Sequence, residues 1–417
     1  LPAYLRRLAE LLRDGARPHP PKFTTAPALD GSGLIANAFL NGNANVTYSI
    51  NDGVVPALDS ASIAVQGGVI PNGYISTVSI DSVGTPGPIT LATPTTTINT
   101  LTQNYSGVEG TVALAGQTLR LSTATILAGK SGLTFGATPG SGTIMSRDPA
   151  GELVLANLSS NPMTVNSVIA DNITLSTLTK TGSGTLLLAG AATYSGATAV
   201  QEGTLQLAGV NRLPTGTVLT LGAGTTSGTL KLDANNQTLG GLTTSGSGTE
   251  NRVVNGSATA AVLTLGGSST FAGVLGGPGA DENNFALVSS GTFAGDVTLN
   301  TGASLSVPVI ATSGPQPLGQ SGGAIQFLGN ISQGSTLVYS GSGTGETSRG
   351  LDMVSGQGGT VNVSQASGVL TVNGALSGII CLLLDVTEKK NFLRIKEEFT
   401  ANASHELKTP LTTISGY

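Results

Sequence analysis

Leu178-Thr-Lys-Thr-Gly-Ser-Gly-Thr-Leu-Leu-Leu-Ala-Gly190, continued by Ala191-Ala-Thr-Tyr-Ser-Gly-Ala-Thr-Ala-Val-Gln-Glu-Gly-Thr-Leu-Gln-Leu207, decides the fold. It holds two runs of the same kind, Gly184-Thr-Leu-Leu-Leu188 and Gly203-Thr-Leu-Gln-Leu207. Each run is the length of one short strand and is bounded by Gly, Ser, Thr or Ala, the punctuation of turns. Similar runs stand at Gly110-Thr-Val-Ala-Leu114, Gly228-Thr-Leu-Lys-Leu232 and Gly359-Thr-Val-Asn-Val363. Short fixed units separated by turns of varying length indicate a repeat architecture, in which each unit buries its apolar side only against its neighbours.

Composition separates a solenoid from a sandwich. The chain has 417 residues, 60 of them Gly, with no Trp, seven Tyr and nine Phe. A sandwich core draws on large aromatics, whereas a narrow solenoid interior is filled by Val, Ile, Leu and Ala, with Thr, Ser and Asn along its faces and Gly at corners that need positive φ. The sequence therefore predicts a mainly β fold, a parallel β-solenoid over residues 24–378. At about 22 residues per turn and about 4.8 Å per strand, roughly 15 to 16 turns would give a rod of about 75 Å. Hydrophobic residues make up 39% and the net charge is −5, which is not the balance of a disordered chain. Gly has no every-third-residue period, so collagen is excluded. An acidic excess argues against nucleic acid as a partner.

The stretch 178–207 closely resembles the autotransporter-associated β-strand repeat, with Ala192 and Ala197 where that family favours Asn and Gly. The resemblance implies a right-handed β-helix and a surface-displayed or secreted bacterial passenger engaged in adhesion. Residues 24–378 contain no His and only 24 charged side chains, eight basic and sixteen acidic. Carboxylate and metal chemistry of the kind a polysaccharide-cleaving β-helix needs therefore lacks its residues, and no cofactor is expected. Asp281-Glu282 and Asp30 read as solvated turns rather than calcium ligands.

The two ends differ from the middle. In residues 1–23, Leu1, Leu5, Leu8 and Leu12 recur at helical spacing among arginines, and Gly15 and Pro18-His19-Pro20-Pro21 end the pattern. A short amphipathic helix and a proline linker are expected, the helix capping the next unit. Residues 379–417 begin with the apolar run Ile379 to Leu384, read as a strand, whose Cys381 is the chain's one cysteine. A helix then starts near Asp385, with Phe392, Ile395, Phe399, Ala403 and Leu407 forming one apolar seam. That seam suits a partner helix, so a homodimer through the C-terminal helix is expected. No run reaches the roughly 18 apolar residues that cross a bilayer, so no transmembrane segment is predicted.

Phe399-Thr-Ala-Asn-Ala-Ser-His-Glu-Leu-Lys-Thr-Pro-Leu-Thr-Thr-Ile-Ser-Gly-Tyr417 resembles the H-box of sensor histidine kinases almost residue for residue. Gly378-Ile-Ile-Cys-Leu-Leu-Leu-Asp-Val-Thr-Glu388 is similar to the last strand of a PAS domain entering the kinase linker. By that resemblance His405 is the phosphoacceptor, Glu406 the acid that orients its ring, and Thr409 a residue used in dephosphorylation. The chemistry is consistent: a neutral imidazole is a nucleophile at neutral pH, and an adjacent carboxylate holds the tautomer that leaves one nitrogen free. The chain stops at Tyr417, before the ATP-binding domain of such kinases, so autonomous kinase activity is not expected. A kinase or response regulator acting in trans is the partner this implies.

Two expectations follow. The first is a noncatalytic structural or adhesive β-helix carrying a histidine kinase tail as a chimera. The second is a sensor kinase fragment with the solenoid as input and His405 receiving phosphate. One places the chain outside the cell or at its surface, the other in the cytoplasm.

Overall fold

The computed structural model describes residues 60–377, with interruptions of which 308–324 is the longest, and the short strands Phe39–Leu40, Ala44–Asn45 and Arg394–Ile395. Every described secondary element is a strand, and the chain is a parallel β-solenoid. It visits three faces in turn. Glu152–Asn157 lies on the first, Met163–Val165 on the second and Val168–Ala170 on the third, and Thr177–Thr181 returns to the first beside Glu152–Asn157.

The second face is the longest ladder, twelve parallel strands from Gly110–Val112 to Leu376–Ser377. Its eleven steps take from 19 residues, Thr185 to Thr204, to 30 residues, Leu133 to Met163. At about 4.8 Å per step the ladder is about 53 Å long. The expected 15 to 16 turns counted residues 24–378; this ladder, which covers 110–377, holds about eleven. Its steps average about 24 residues rather than 22, because the corners between strands vary in length. All five of the predicted runs are strands: Gly110–Val112, Thr185–Leu188, Gly203–Leu207, Gly228–Lys231 and Gly359–Val363.

Alternation sets which side chains enter the core. Thr185–Leu188 alternates half-buried and buried, and Ala261–Leu265 does the same. Parallel pairing without slippage then stacks like on like. Met163, Leu186, Leu205, Leu230, Val253 and Leu275 follow one another in register on the second face, all fully buried. Each such aliphatic side chain contributes about 1.5–3 kcal/mol through burial.

The third face is regular from Gln237–Leu239 to Gly359–Val363. Nearer the N-terminus it shares long bent strands with the first face. Thr118–Ala128 pairs through Thr118–Leu121 with Thr143–Ser146 and through Thr125–Ala128 with Glu152–Asn157, and Ala124, at φ 59°, turns the corner between. Around residues 192–213 this face carries no regular strand, yet its ladder continues. The Thr193 amide donates to the Ile169 carbonyl (2.8 Å), Ala192 to Arg212 (2.9 Å) and Asn211 to Asn236 (3.0 Å). The segments 1–23, 379–393 and 396–417, with Cys381 and the rest of the expected helices, lie outside the described residues; Arg394–Ile395, expected within the C-terminal helix, is instead a short strand paired in parallel with Thr371–Val372.

Candidate functional site

The residues assigned chemistry from the sequence, His405, Glu406 and Thr409, lie outside the described residues, as do His19 and Asp30. The described candidate is the turn that opened the sequence reading. Residues 178–207 span one full circuit and its overlap: Thr177–Thr181, Thr185–Leu188, the irregular third-face segment at 192–194, Thr198–Val200 and Gly203–Leu207.

Lys180 is its unusual residue. The strand's period places Leu178 and Lys180 on one side, and both are fully buried. Lys180 stands between Leu155 and Val200 in an otherwise aliphatic column. Its Nζ donates to the carbonyls of Thr181 (3.0 Å), Gly182 (2.5 Å) and Glu202 (2.8 Å). The ammonium therefore ties its own corner to that of the following turn. Burial pulls its pKa down to about 8, and the Glu202 carboxylate opposes that fall. It is the one charged side chain among the described residues that is fully buried.

Glycine makes room for this contact. Gly182 and Gly203 have φ of 77° and 73°, and a Cβ on Gly203 would stand 2.5 Å from the Gly182 carbonyl and 2.9 Å from Lys180 Nζ. Only glycine combines that backbone with that approach.

Two further polar clusters close the turn. Tyr194, almost wholly buried, shares a 2.6 Å hydrogen bond with Thr198 Oγ1, which meets Thr217 Oγ1 at 3.0 Å, and Thr217 donates to the Gly196 carbonyl (2.9 Å). Burial drives the Tyr194 hydroxyl far above the usual tyrosine range. Asp171 accepts from the Ser176 amide (2.6 Å), the Ser195 amide (3.1 Å) and Ser195 Oγ (2.5 Å). Burial works to raise its pKa, and these bonds, led by the Ser195 hydroxyl, outweigh it and hold the carboxyl below its ordinary value. Beside them lies a recess of about 440 Å³ lined by Tyr194, Ser195, Asn211, Leu213, Pro214 and Thr215 among others.

This arrangement is chemically closed. The ammonium, the phenol and the carboxylate each spend their hydrogen bonds on groups of their own or the adjoining turn, leaving no activated nucleophile beside a base among them. Among the described residues no three His, Cys, Asp or Glu side chains gather to hold a metal ion. Glu282 uses its carboxylate on the Gly279 amide (2.9 Å), inside a turn. Lys180 was not singled out from the sequence, although strict alternation from Leu178 would have placed it inward. The bonds from Ser195 to Asp171 and between Thr198 and Thr217 cross turns, and nothing in the linear order marks them.

The buried polar groups of this turn bond within it and to the adjoining turns. In comparison with known proteins, residues 178–207 match the passenger-associated transport repeat. Residues 395–417 match the His Kinase A phosphoacceptor domain. The C-terminal part is also similar to the sensor histidine kinase WalK of Bacillus subtilis strain 168, 47% identical over 45 residues, which is 11% of this chain and 7% of that protein. The sensor protein kinase WalK of Staphylococcus aureus is 45% identical over 51 residues, 12% of each chain. The chain thus spans about a tenth of the length of the curated relatives it matches. No solved structure matches it. Among the described residues no helix is long and apolar enough to cross a membrane.

Proposed function

We propose that the chain is a noncatalytic passenger-type β-helix, an extended surface or secreted rod of adhesive kind, joined as a chimera to a histidine kinase phosphoacceptor segment. The boundaries are 1–23 for the N-terminal helix and linker, 24–378 for the rod and 379–417 for the kinase-type tail. The observation that carries this reading is the coincidence of the passenger-associated repeat with one circuit of the solenoid, in which Lys180 and Thr198 hydrogen-bond to the following turn. The passenger repeat points to the cell exterior and the phosphoacceptor segment to the cytoplasm, an opposition that a fusion of two sources explains.

A second reading is favoured by the match at 395–417. In it the rod is a sensory input, the tail dimerises, His405 accepts phosphate in trans from a kinase and passes it to a response regulator. Glu406 then orients the imidazole, and Thr409 serves dephosphorylation. Incubation of the full chain with ATP, Mg²⁺ and a complete WalK-type kinase separates the two. No acid-labile phosphate on the chain is the expected result. Label that disappears in His405→Gln would overturn the first reading in favour of the second.

A further inference from the structure

The outer side of the first face is closed in some turns and open in others. Leu101, Ile126, Leu155 and Lys180 share one inward column, so the residues that alternate with them point outward. On three neighbouring strands these outward residues are Thr100 and Thr102, Thr125 and Leu127, Val154 and Ala156, and none is more than 5% exposed. Thr77 and Ser79 before them, and Ala199 and Thr220 after them, occupy the same outward columns and are only half-buried. Thr179, between the two groups, is closed by the Glu152 carboxylate, to which its Oγ1 donates (2.8 Å). Six side chains are thus covered in a block about 10 Å across the strands and about 7 Å along them.

A described element reaches this block from outside the rod. Phe39–Leu40 and Ala44–Asn45 pair antiparallel, Phe39 opposite Asn45 and Leu40 opposite Ala44, whereas the strands of the rod pair in parallel. They form a hairpin and not a turn of the rod, and Asn41-Gly42-Asn43 between them has the composition of hairpin loops. Ala44–Asn45 comes within 8 Å, Cα to Cα, of Thr95–Gln103. Both edges of that strand are already taken. Thr118–Ala128 lies along one; on the other the Gly73 amide donates to Thr97 (2.8 Å), the Asn99 amide to Ser76 (2.8 Å), and Thr77–Ile80 pairs with Thr100–Gln103. The inner side is filled by Ile98 and Leu101, both fully buried. What remains for the hairpin is the outer side, where Thr100 and Thr102 are covered.

We propose that the outer side of the first face over residues 100–156 is a docking surface, and that its occupant is the chain's own hairpin Phe39–Asn45, laid across three turns as a strap. Two strands about 4.8 Å apart, with their side chains beyond them, span the width of the closed block. A two-stranded hairpin is marginal in water until it packs on such a surface. The chemistry agrees. Leu127 and Val154 call for an apolar cover, and Thr100 Oγ1, buried without a hydrogen-bond partner among the described residues, is met by one that offers it no polar group. A hairpin containing Phe39 and Leu40 has that character. It clasps the rod from outside instead of extending it.

The test is the labelling rate of single cysteines in the full chain, with Cys381→Ser as background. Thr102→Cys probes the covered block and Thr220→Cys the open outer side of the same face, and both substitutions nearly keep the size of the side chain. Thr102→Cys is expected to react with a maleimide at least about tenfold more slowly than Thr220→Cys. Phe39→Ser combined with Leu40→Ser, both outside the stacked turns, is expected to raise the Thr102→Cys rate by about tenfold. The Thr220→Cys rate and the β circular dichroism spectrum should stay unchanged, which separates release of the strap from unfolding of the rod. Equal rates at the two positions before the hairpin is altered would overturn the proposal by showing the block open. Slow labelling of Thr102→Cys that persists after the hairpin is altered would overturn it as well, and assign the surface to a different occupant.

Discussion

Replacing Lys180 by Met tests whether the buried ammonium is a structural tie. Methionine keeps an unbranched apolar stem between Leu155 and Val200 and removes only the charged donor. Two effects compete at pH 7. The variant is relieved of a desolvated charge, which a fall from 10.5 to about 8 values at about 3 kcal/mol. It also leaves the Thr181, Gly182 and Glu202 carbonyls without their donor, at about 1–3 kcal/mol each. The loss outweighs the relief, and a net destabilisation of about 2–3 kcal/mol is expected. The pH dependence is more diagnostic. Because the folded pKa is the lower one, the unfolded chain holds more protons between pH 8 and 10.5, so stability rises with pH across that window and is lost again as pH falls through 8. From pH 7 to 10 the wild type should gain about 2–3 kcal/mol from this group alone, and Lys180→Met should gain none of it. Urea unfolding followed by the β signal at pH 7, 8, 9 and 10 measures both. The upper limit matters, since Tyr194, un-ionised in the fold, begins to reduce stability above about pH 10. Parallel stability curves for the two proteins between pH 7 and 10 would refute the reasoning.

The remaining predictions concern the stack itself. Leu205→Ala, in the middle of the aliphatic column of the second face, should cost about 2–5 kcal/mol, read as a lowered urea midpoint. Gly203→Ala should be severe, about 3 kcal/mol or more, because its Cβ would meet the Gly182 carbonyl at 2.5 Å. Gly107→Ala, at φ 86° but with nothing within 4 Å, should cost only about 1 kcal/mol; equal losses at both glycines would show that backbone conformation, not the close approach, governs the corners.

Much of the rod is legible in the sequence because two-residue alternation is a local property. Gly203-Thr-Leu-Gln-Leu207 announces a strand with Leu205 and Leu207 inward, and both are fully buried. The resemblance at 178–207 extends that to one turn, and the match there agrees. What alternation does not carry is the pairing of one turn with the next. Steps of 19 to 30 residues arise because loop length costs little entropy, so corners can vary freely between stacked strands. Hence the links between Thr198 and Thr217 and between Asp171 and Ser195 are not legible in the linear order. Lys180 was readable in principle, but a lysine between two threonines resembles a surface residue until its parity with Leu178 is counted. Ile173, which is exposed, was hidden for the converse reason, since an isoleucine in a β-rich sequence is ordinarily assigned to the core.

The constant rise of the second-face ladder, set against its variable corners, makes the molecule a ruler with an adjustable margin. Length along the axis depends only on how many circuits are stacked. Duplicating one circuit extends reach by a fixed increment of about 4.8 Å, while material added at a corner widens the girth and leaves the reach unchanged. Reach and surface chemistry can therefore evolve separately.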